Sequence, residues 1–183
     1  AAFQEPQDGE KLKLKIWRNK KEIEVAVPMK VRKEEENTGN LYDAPPRYFV
    51  YAGLVFTPLT LDYVKTFGRN WRNVANLEMI YELYYMKNER PEKMRKEPVV
   101  LAATLAHPAN ADIRLASRAM VDEINGKRIE SLSDLIDAFE TNDKPQHLIK
   151  FASGTIESLD KVKANEAHET ILNTYGIPAD RRL

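Results

Sequence analysis

The sequence predicts an α+β fold in which antiparallel strands are combined with separate helices. The run from Glu10 to Pro28 alternates between apolar and polar residues on both sides of Asn19-Lys20, which is the pattern of a two-stranded hairpin. Further strand-like runs are scattered among helical segments without a repeating strand-helix-strand rhythm. That irregular order favours an antiparallel sheet with helices packed on it over a doubly wound parallel sheet.

The composition excludes several classes of function. The 183 residues include 28 basic and 28 acidic side chains and no cysteine. This balance provides no global field that would gather nucleic acid or an anionic membrane. Without cysteine there is no disulfide, thiolate nucleophile or zinc-thiolate site. No apolar run approaches the length of about 18 residues that a membrane-spanning helix needs. We therefore expect no nucleic-acid binding, no membrane insertion, and partners that are recognised locally.

A break in composition separates the hairpin from the rest of the chain. Residues 31–46 carry a charge run, a Thr-Gly-Asn sequence and a Pro-Pro pair, which together prevent a continuous helix or strand. An isolated hairpin is only marginally stable in water, so residues 1–30 must pack on another part of the protein or on a domain upstream. The sequence thus predicts a hairpin region (1–30), a linker (31–46) and a main domain (47–183).

The main domain is predicted to carry a helical insert over residues 58–97. Thr60 is suited to cap a short helix that Gly68 ends. A second helix is indicated by the three-and-four spacing of Leu77, Ile80, Tyr81 and Tyr84. Beyond the insert, four strands are predicted in the runs PVVLAATLA, MVDEING, HLIKFAS and TIESLD, and two helices over Ser131–Thr141 and Lys161–Tyr175.

A single glycine interrupts the apolar run from Tyr48 to Thr60, which otherwise has the composition of one buried strand. Glycine inside a strand loses side-chain packing and costs chain entropy. It therefore marks a bulge, a positive φ, or a place where another backbone comes close. The third possibility makes the surroundings of Gly53 a candidate binding site.

No group of residues predicts catalysis or a cofactor site. His107, His147 and His168 do not have the spacing of metal ligands. Ser153-Gly154 lacks the flanking glycine and the strand-to-helix context of a nucleophile elbow, and we interpret it as a turn. The seven glycines are dispersed, so no phosphate-binding loop is present. We expect no catalytic residues, no metal and no cofactor in this chain.

Two stretches together resemble a PDZ domain. The run MVDEINGKRIESLSDLIDAFE, Met120 to Glu140, is similar to the part in which a strand leads through an Asn-Gly turn and a short return strand into the helix that forms one wall of a peptide groove. The run YAGLVF, Tyr51 to Phe56, resembles the loop of PDZ domains that binds a carboxylate. From Pro45 to Leu183 the order of these parts is similar to the C-terminal PDZ domain of the plant-type branch of HtrA/Deg serine proteases.

The hairpin fits the same resemblance. GEKLKLKIWRNKKEIEVAVP is similar to the last two strands of the PDZ domain that precedes the C-terminal one in such proteases. Lys20 replaces the glycine that is usual in that turn, where a positive φ is favoured. The resemblance implies an extracytoplasmic location in bacteria or an organelle in plants, and it places the protease domain of the parent chain upstream.

The resemblance also implies the site residues. A bound peptide C-terminus would add as an antiparallel strand along Leu54, Val55 and Phe56, with its carboxylate at backbone N–H groups of Ala52, Gly53 and Leu54. Its last side chain would enter an apolar pocket that is lined by Leu54, Phe56, Leu135 and Phe139. The implied partners are peptide or unfolded-protein C-termini, the protease domain of the same chain, and further copies in a homo-oligomer. The fold class implied is an α+β PDZ-like antiparallel barrel or sandwich with capping helices.

Alternatives remain open at the level of sequence. Gly53 and its apolar neighbours are also compatible with ordinary core packing. The insert, with aromatic residues such as Tyr63, Trp71 and Tyr85, would either fold over the groove as a lid or form an intersubunit face. The C-terminal PADRRL of this chain or of a neighbour is a candidate occupant of the groove. An assembly domain with a covered groove is therefore the second hypothesis, and a small stand-alone enzyme is a third, poorly supported one.

Overall fold

The structure is a computed structural model that describes residues 11–28, 45–114 and 118–183. The chain divides into two compact units, residues 1–36 and residues 37–183. Most of the expected linker, residues 31–44, lies outside the described residues.

The first unit contains the predicted hairpin. Strand β1 (Lys11–Arg18) pairs antiparallel with β2 (Lys21–Pro28). The apolar residues face one another across the ladder in the pairs Leu12–Val27, Leu14–Val25 and Ile16–Ile23. Directly opposite residues share a face, so the hairpin has one apolar face, as the alternation predicts. The turn residues Asn19 and Lys20 both have positive φ, 55° and 60°.

The second unit combines eight strands with six α-helices among the described residues. The strands are β3 (Tyr48–Tyr51), β4 (Leu54–Pro58), β5 (Val99–Thr104), β6 (Ala119–Ile124), β7 (Lys127–Arg128), β8 (Gln146–Phe151), β9 (Ile156–Asp160) and β10 (Arg181–Arg182). The helices are α1 (Leu61–Lys65), α2 (Trp71–Val74), α3 (Leu77–Tyr84), α4 (Met86–Glu89), α5 (Leu132–Glu140) and α6 (Lys161–Thr174). Short 3-10 turns cover Pro91–Lys93 and Pro108–Asn110.

The sheet of this unit is antiparallel and open. Its strand order is β10-β3-β4-β5-β6-β8-β9, and β7 pairs with β6 beside that path. Strands β10 and β9 are the two ends of this order, so the sheet does not close on itself. The α+β class is confirmed, whereas the closed barrel that the resemblance allowed does not form. Among the described residues, no helix is both long and apolar enough to cross a membrane.

Two cores lie on opposite faces of the central strands. Successive side chains of a strand alternate between faces. Val99 and Leu101 of β5 therefore join the core under α5, while Val100 between them joins the core under the insert. Met120 of β6 lies on the insert side, and Val121 lies on the α5 side. The insert thus covers the face of the sheet opposite to α5. It is not a lid over the groove formed by β4 and α5, so that alternative is wrong.

Helix α5 begins and ends where the sequence predicts. The Ser131 hydroxyl accepts a hydrogen bond from the N–H of Asp134, which satisfies one of the free donors of the first turn. Apolar residues at three-and-four spacing, Leu132, Leu135, Ile136 and Phe139, are buried against the sheet. This packing places Phe139 over the aromatic residues of β3 and β4, with ring centroids 6.1 Å from Phe49 and 5.6 Å from Phe56.

Candidate functional site

The candidate site is centred on a tight turn and not on a continuous strand. The run from Tyr48 to Thr60, expected as one strand interrupted by glycine, forms the hairpin of β3 and β4. Its two turn residues, Ala52 and Gly53, have φ of 48° and 86°. Two consecutive positive φ values are what a two-residue hairpin turn requires, because that backbone follows the right-handed twist of the flanking strands. The sequence signal was correct about Gly53 and wrong about the strand around it.

Gly53 also meets the chain's own backbone closely. A Cβ placed on Gly53 would lie 2.5 Å from the carbonyl oxygen of Leu105 and 2.5 Å from Nδ2 of Asn110. The carbonyl of Gly53 accepts from the N–H of Leu105 at 2.7 Å. The buried Asn110 side chain donates to the carbonyl oxygens of Ala52 and Leu105, each at 2.8 Å. The close approach that the glycine predicted is therefore made by a loop of the same chain.

Both edges of β4 are already paired. On one side β3 runs antiparallel to β4, with Tyr51 opposite Leu54 and Phe49 opposite Phe56. On the other side β5 pairs with it, with Val55 opposite Ala103. A guest strand along Leu54–Phe56 has no free edge in this state. Such a strand has to take the place of β3 or of β5.

Five of the sequence-predicted side chains come together, and one does not. The core under α5 contains Ala52, Leu54, Phe56, Leu135 and Phe139, and none of them is more than 3% exposed. Val55 is half-buried on the other face of β4, as alternation along the strand requires. Ala52 and Gly53 are buried in the turn. Whether any of these seven residues binds a peptide stays a prediction.

Tyr51, at the end of β3, lies in an aromatic and polar pocket. Its ring centroid is 4.9 Å from that of Phe139, 5.2 Å from that of His147 and 5.8 Å from that of His168. Its hydroxyl donates to Oδ1 of Asn165 at 2.7 Å and lies 3.1 Å from Nε2 of His147. Burial raises the pKa of the Tyr51 phenol to about 12. The phenol is therefore neutral at ordinary pH and able both to donate and to accept.

The hydrogen bonds around His147 define its tautomer. The Nδ1 atom of this fully buried ring lies 3.3 Å from Nδ2 of Asn125 and 3.1 Å from Nδ2 of Asn142. Asn125 is oriented by Ala138 and Leu148, because Nδ2 donates to the Ala138 carbonyl and Oδ1 accepts from the Leu148 N–H. Nδ1 therefore accepts, and the proton is on Nε2, which donates to the Tyr51 oxygen.

Asn142 is oriented in the same way by backbone groups. Its Nδ2 donates to the carbonyl of Gln146, and its Oδ1 accepts from the N–H of Lys144. Protonation of His147 would put an N–H on Nδ1, where it would face the Nδ2 donors of Asn125 and Asn142. Burial, together with the charge of Lys161, lowers the pKa of His147 to about 4. The imidazole is therefore neutral at neutral pH.

The turn and β3 are held from two further sides. The N–H of Ala52, one of the amides expected to bind a carboxylate, donates instead to Nδ1 of His168 at 3.3 Å. The C-terminal strand β10 pairs with the outer edge of β3, with Arg181 opposite Phe49. The PADRRL segment thus lies beside β3 and not along β4.

The sequence did not point to His147, Asn165 or His168 as members of the site. Tyr51 is separated from them by 96, 114 and 117 positions, so neither spacing nor a local motif links them. One signal was available. His147 stands at period two with Ile149 and Phe151, all three of which are buried, and that pattern predicts an inward-facing histidine.

Comparison with known proteins agrees with this architecture. A family model described as a PDZ domain matches residues 16–182. Protease Do-like 4, mitochondrial, of Arabidopsis thaliana is 28% identical over 141 residues, which are 77% of this chain and 24% of that protein. Protease Do-like 2, chloroplastic, of the same plant is 28% identical over 141 residues, which are 74% of this chain and 21% of that protein.

A third relative from Arabidopsis thaliana, Putative protease Do-like 11, mitochondrial, is 23% identical over 169 residues, which are 92% of this chain and 25% of that protein. The chain thus spans no more than a quarter of the length of these relatives. The matched residues include the turn at Gly53, helix α5 and the strands between them. The chain belongs to the PDZ domain family, and its curated relatives are plant Do-like proteases.

Proposed function

We propose that this chain is a non-catalytic PDZ module of an HtrA/Deg-type serine protease. It binds peptide C-termini or unfolded chains by strand addition and in that way regulates the protease domain of the same parent chain. Membership of the PDZ family and the similarity to three proteins named proteases support this proposal. The organelle names of these relatives favour an organellar location.

The position of β3 is the observation that carries the proposal. A guest strand that adds antiparallel to β4 on the side away from β5 would run in the direction of β3 and end at the turn, opposite Leu54. Tyr51 lies at that place in the closed state. We call the position antiparallel to β4 on the side away from β5 the peptide lane. In the closed state β3 occupies this lane, so peptide binding is an exchange in which the guest strand replaces β3.

Strand β10 helps to keep β3 in the lane. The N–H of Val50 donates to the carbonyl of Asp180 at 2.7 Å. Arg181 also links β10 to α5, because its Nη1 donates a hydrogen bond to Oε1 of Glu140 at 2.8 Å. The Arg181 guanidinium also lies 5.2 Å from the Phe49 ring centroid. Loss of this arginine would weaken the closed state without removing any buried apolar group.

A peptide titration with a matched pair of variants tests the proposal. Fluorescence anisotropy is measured for labelled peptides that end in an apolar residue, as the free carboxylate and as the amide. We expect saturable binding of the carboxylate form, tightened about two- to five-fold by Arg181→Ala, because an exposed ion pair contributes up to about 1 kcal/mol to the closed state. Arg182→Ala is the control, since the side chain of this neighbouring arginine makes only a ring contact to Tyr48 among the described residues, and its backbone pairing with β3 is kept.

Two results of this titration would contradict the proposal. Binding that is indifferent to amidation would contradict capture of a carboxylate. Equal binding by the wild-type chain and both arginine variants would contradict exchange with β3. Gly53→Val is not a suitable test, because its side chain would collide with Leu105 and Asn110 of the same chain and disturb the fold itself.

The second candidate function is an assembly domain that holds protease subunits together. The observation in its favour is that β4 has no free edge for a guest. The insert also exposes large apolar side chains, including Val74, Leu77, Tyr84 and Tyr85. Light scattering tests this candidate by the mass of the chain in solution. An oligomer that Leu77→Glu dissociates would support it, and a monomer over a wide concentration range would contradict it.

A further inference from the structure

We infer that the pocket in which Tyr51 lies is the pocket for the last residue of the guest, and that it selects a C-terminal tyrosine. This inference rests on the proposed exchange between β3 and a guest strand. It goes beyond an apolar end, which was all that the apolar lining of α5 and β4 implied. The class of ligand becomes polypeptides that end in tyrosine with a free carboxylate.

The register of the sheet identifies the pocket. A guest in the lane of β3 and in its register has its last residue opposite Leu54, where Tyr51 now lies. The next group along that lane is the turn, so the terminal carboxylate falls beside Ala52 and Gly53, where it has to replace His168 Nδ1 as the acceptor of the Ala52 N–H. The side chain of the last guest residue then occupies the space of the Tyr51 side chain, because strands in the same register point the same residues to the same face.

The walls of that space fit an aromatic ring. Phe139, His147 and His168 present ring faces or edges within 4.9 to 5.8 Å of the Tyr51 ring centroid. These separations are those of offset and edge-to-face aromatic pairs, which are more favourable than their buried area alone. A leucine in the same place would leave part of this space empty.

The polar groups of the pocket fit a hydroxyl that donates once and accepts once. Asn165 Oδ1 accepts from the hydroxyl at 2.7 Å, and the Nε2–H of His147 lies 3.1 Å from its oxygen. The Nδ2 donors of Asn125 and Asn142 face Nδ1 of His147, so the ring proton stays on Nε2. A terminal phenylalanine would leave the buried Nε2–H without an acceptor. An unpaired buried donor is costly, so the site discriminates against the ring that lacks the oxygen.

The test uses three labelled peptides that are identical except for a last residue of tyrosine, phenylalanine or leucine, titrated at pH 7.5. We expect tyrosine to bind about ten-fold more tightly than phenylalanine, the effect of one buried donor left unpaired. Asn165→Ala should reduce this preference by only about two-fold, because this hydrogen bond is exposed and water can replace the lost acceptor, while His147 still requires the hydroxyl oxygen. Asn173→Ala is the control, since this exposed asparagine lies on the same helix and outside the pocket.

A second variant, Tyr51→Ala, empties the pocket by removing the side chain with which the last guest residue competes. It should bind the tyrosine peptide at least about five-fold more tightly than the wild-type chain does. Equal affinity for tyrosine and phenylalanine, or a preference for leucine, would overturn this inference and leave the proposed function standing. If the wild-type chain, Arg181→Ala and Tyr51→Ala all bind none of the three peptides, the proposed function itself is overturned.

Discussion

Two turns of this domain have nearly the same backbone conformation and different surroundings. Ala52-Gly53 joins β3 to β4 with φ of 48° and 86°, and Asn125-Gly126 joins β6 to β7 with φ of 54° and 83°. In both, two residues separate directly paired positions. At Gly126 no described residue beyond its chain neighbours has an atom within 4 Å of an added Cβ, whereas at Gly53 two atoms lie at 2.5 Å.

The difference separates two reasons for a glycine. A positive φ is a local demand, and a residue other than glycine meets it at a modest cost. A backbone that passes within contact distance is a tertiary demand, and no rotation of a side chain relieves it because Cβ itself is the colliding atom. Gly126 meets the first demand alone, and Gly53 meets both. This is why the Ala52-Gly53 turn can anchor the loop that carries Leu105 and Asn110.

The largest expected effect comes from adding one methyl group at each turn. Gly53→Ala should lower the free energy of unfolding by about 4 kcal/mol, from overpacking against Leu105 together with strain at positive φ. Gly126→Ala should lower it by only about 1 kcal/mol, since only the strain applies. Urea unfolding of the two variants measures both values. Equal losses would show that the close approach at Gly53 carries no energetic weight.

Acidification tests the histidine beside the first turn. The pKa of His147 is lowered to about 4 in the folded chain, against about 6.5 in an unfolded one. Between these values the unfolded chain binds more protons, so stability is fully present above about pH 6.5, falls as the pH drops, and levels off below about pH 4. The loss attributable to this residue is roughly 3 kcal/mol.

Urea unfolding at pH 7, 5 and 4 follows this loss, and an NMR titration of the His147 ring assigns it. A ring that becomes protonated already near pH 6.5 in the folded chain would contradict the hydrogen-bond pattern around Nδ1. Tyr51→Phe should alter the titration of His147, because the phenol contacts the Nε2 atom directly.

Removal of the Asn110 side chain, which clamps the Gly53 turn, should have an intermediate effect on the free energy of unfolding. Asn110→Ala deletes the donor to the carbonyls of Ala52 and Leu105 and the acceptor of the His107 N–H. We expect a loss of about 2 kcal/mol, since buried backbone groups are left without a partner. Asn173→Ala, an exposed asparagine of α6, should change stability by less than about 0.5 kcal/mol. A loss as small as that of the control would mean that the clamp is dispensable.

The smallest effect is expected at the third turn, in the hairpin of the first unit. Lys20 has a φ of 60°, which costs more in a lysine than in a glycine. Lys20→Gly should slow amide hydrogen exchange in β1 and β2 by about three-fold, from the relief of that strain. Lys13→Gly, in the middle of β1, should speed exchange, because glycine weakens a strand interior. A slower exchange in both variants would contradict the assignment of strain to the turn.

Much of the fold was predictable because its signals are local. The alternation from Lys11 to Pro28 predicts the hairpin, and the Ser131 cap with its three-and-four apolar spacing predicts α5. The insert helices α1 and α3 lie where Thr60 and Leu77 place them. The strand β10 was not predicted, because two residues carry no periodicity. The turn at Ala52-Gly53 was missed because alanine gives no signal for positive φ and apolar residues continue on both sides of it.

The candidate site was predictable only in part. Leu54, Phe56, Leu135 and Phe139 were expected to share a pocket, and the structure packs them in one core. The polar half of the pocket, His147, Asn165 and His168, comes from elements far apart in sequence, and each residue taken alone has an ordinary surface or core role. The side on which the insert packs was also undecided, since its apolar stripe fits either face of the sheet.

The sequence by itself determined the class of fold, the hairpin, helix α5 and the need for a glycine at position 53, because periodicity, capping and backbone sterics act over a few neighbouring residues. Only the tertiary structure decided that β3 pairs with the edge of β4, that Leu105 is the backbone lying against Gly53, and that Tyr51 ends among His147, Asn165 and Phe139. Those outcomes depend on which distant segments share a strand edge, and hydrogen bonding and packing settle that only when the whole sheet is assembled.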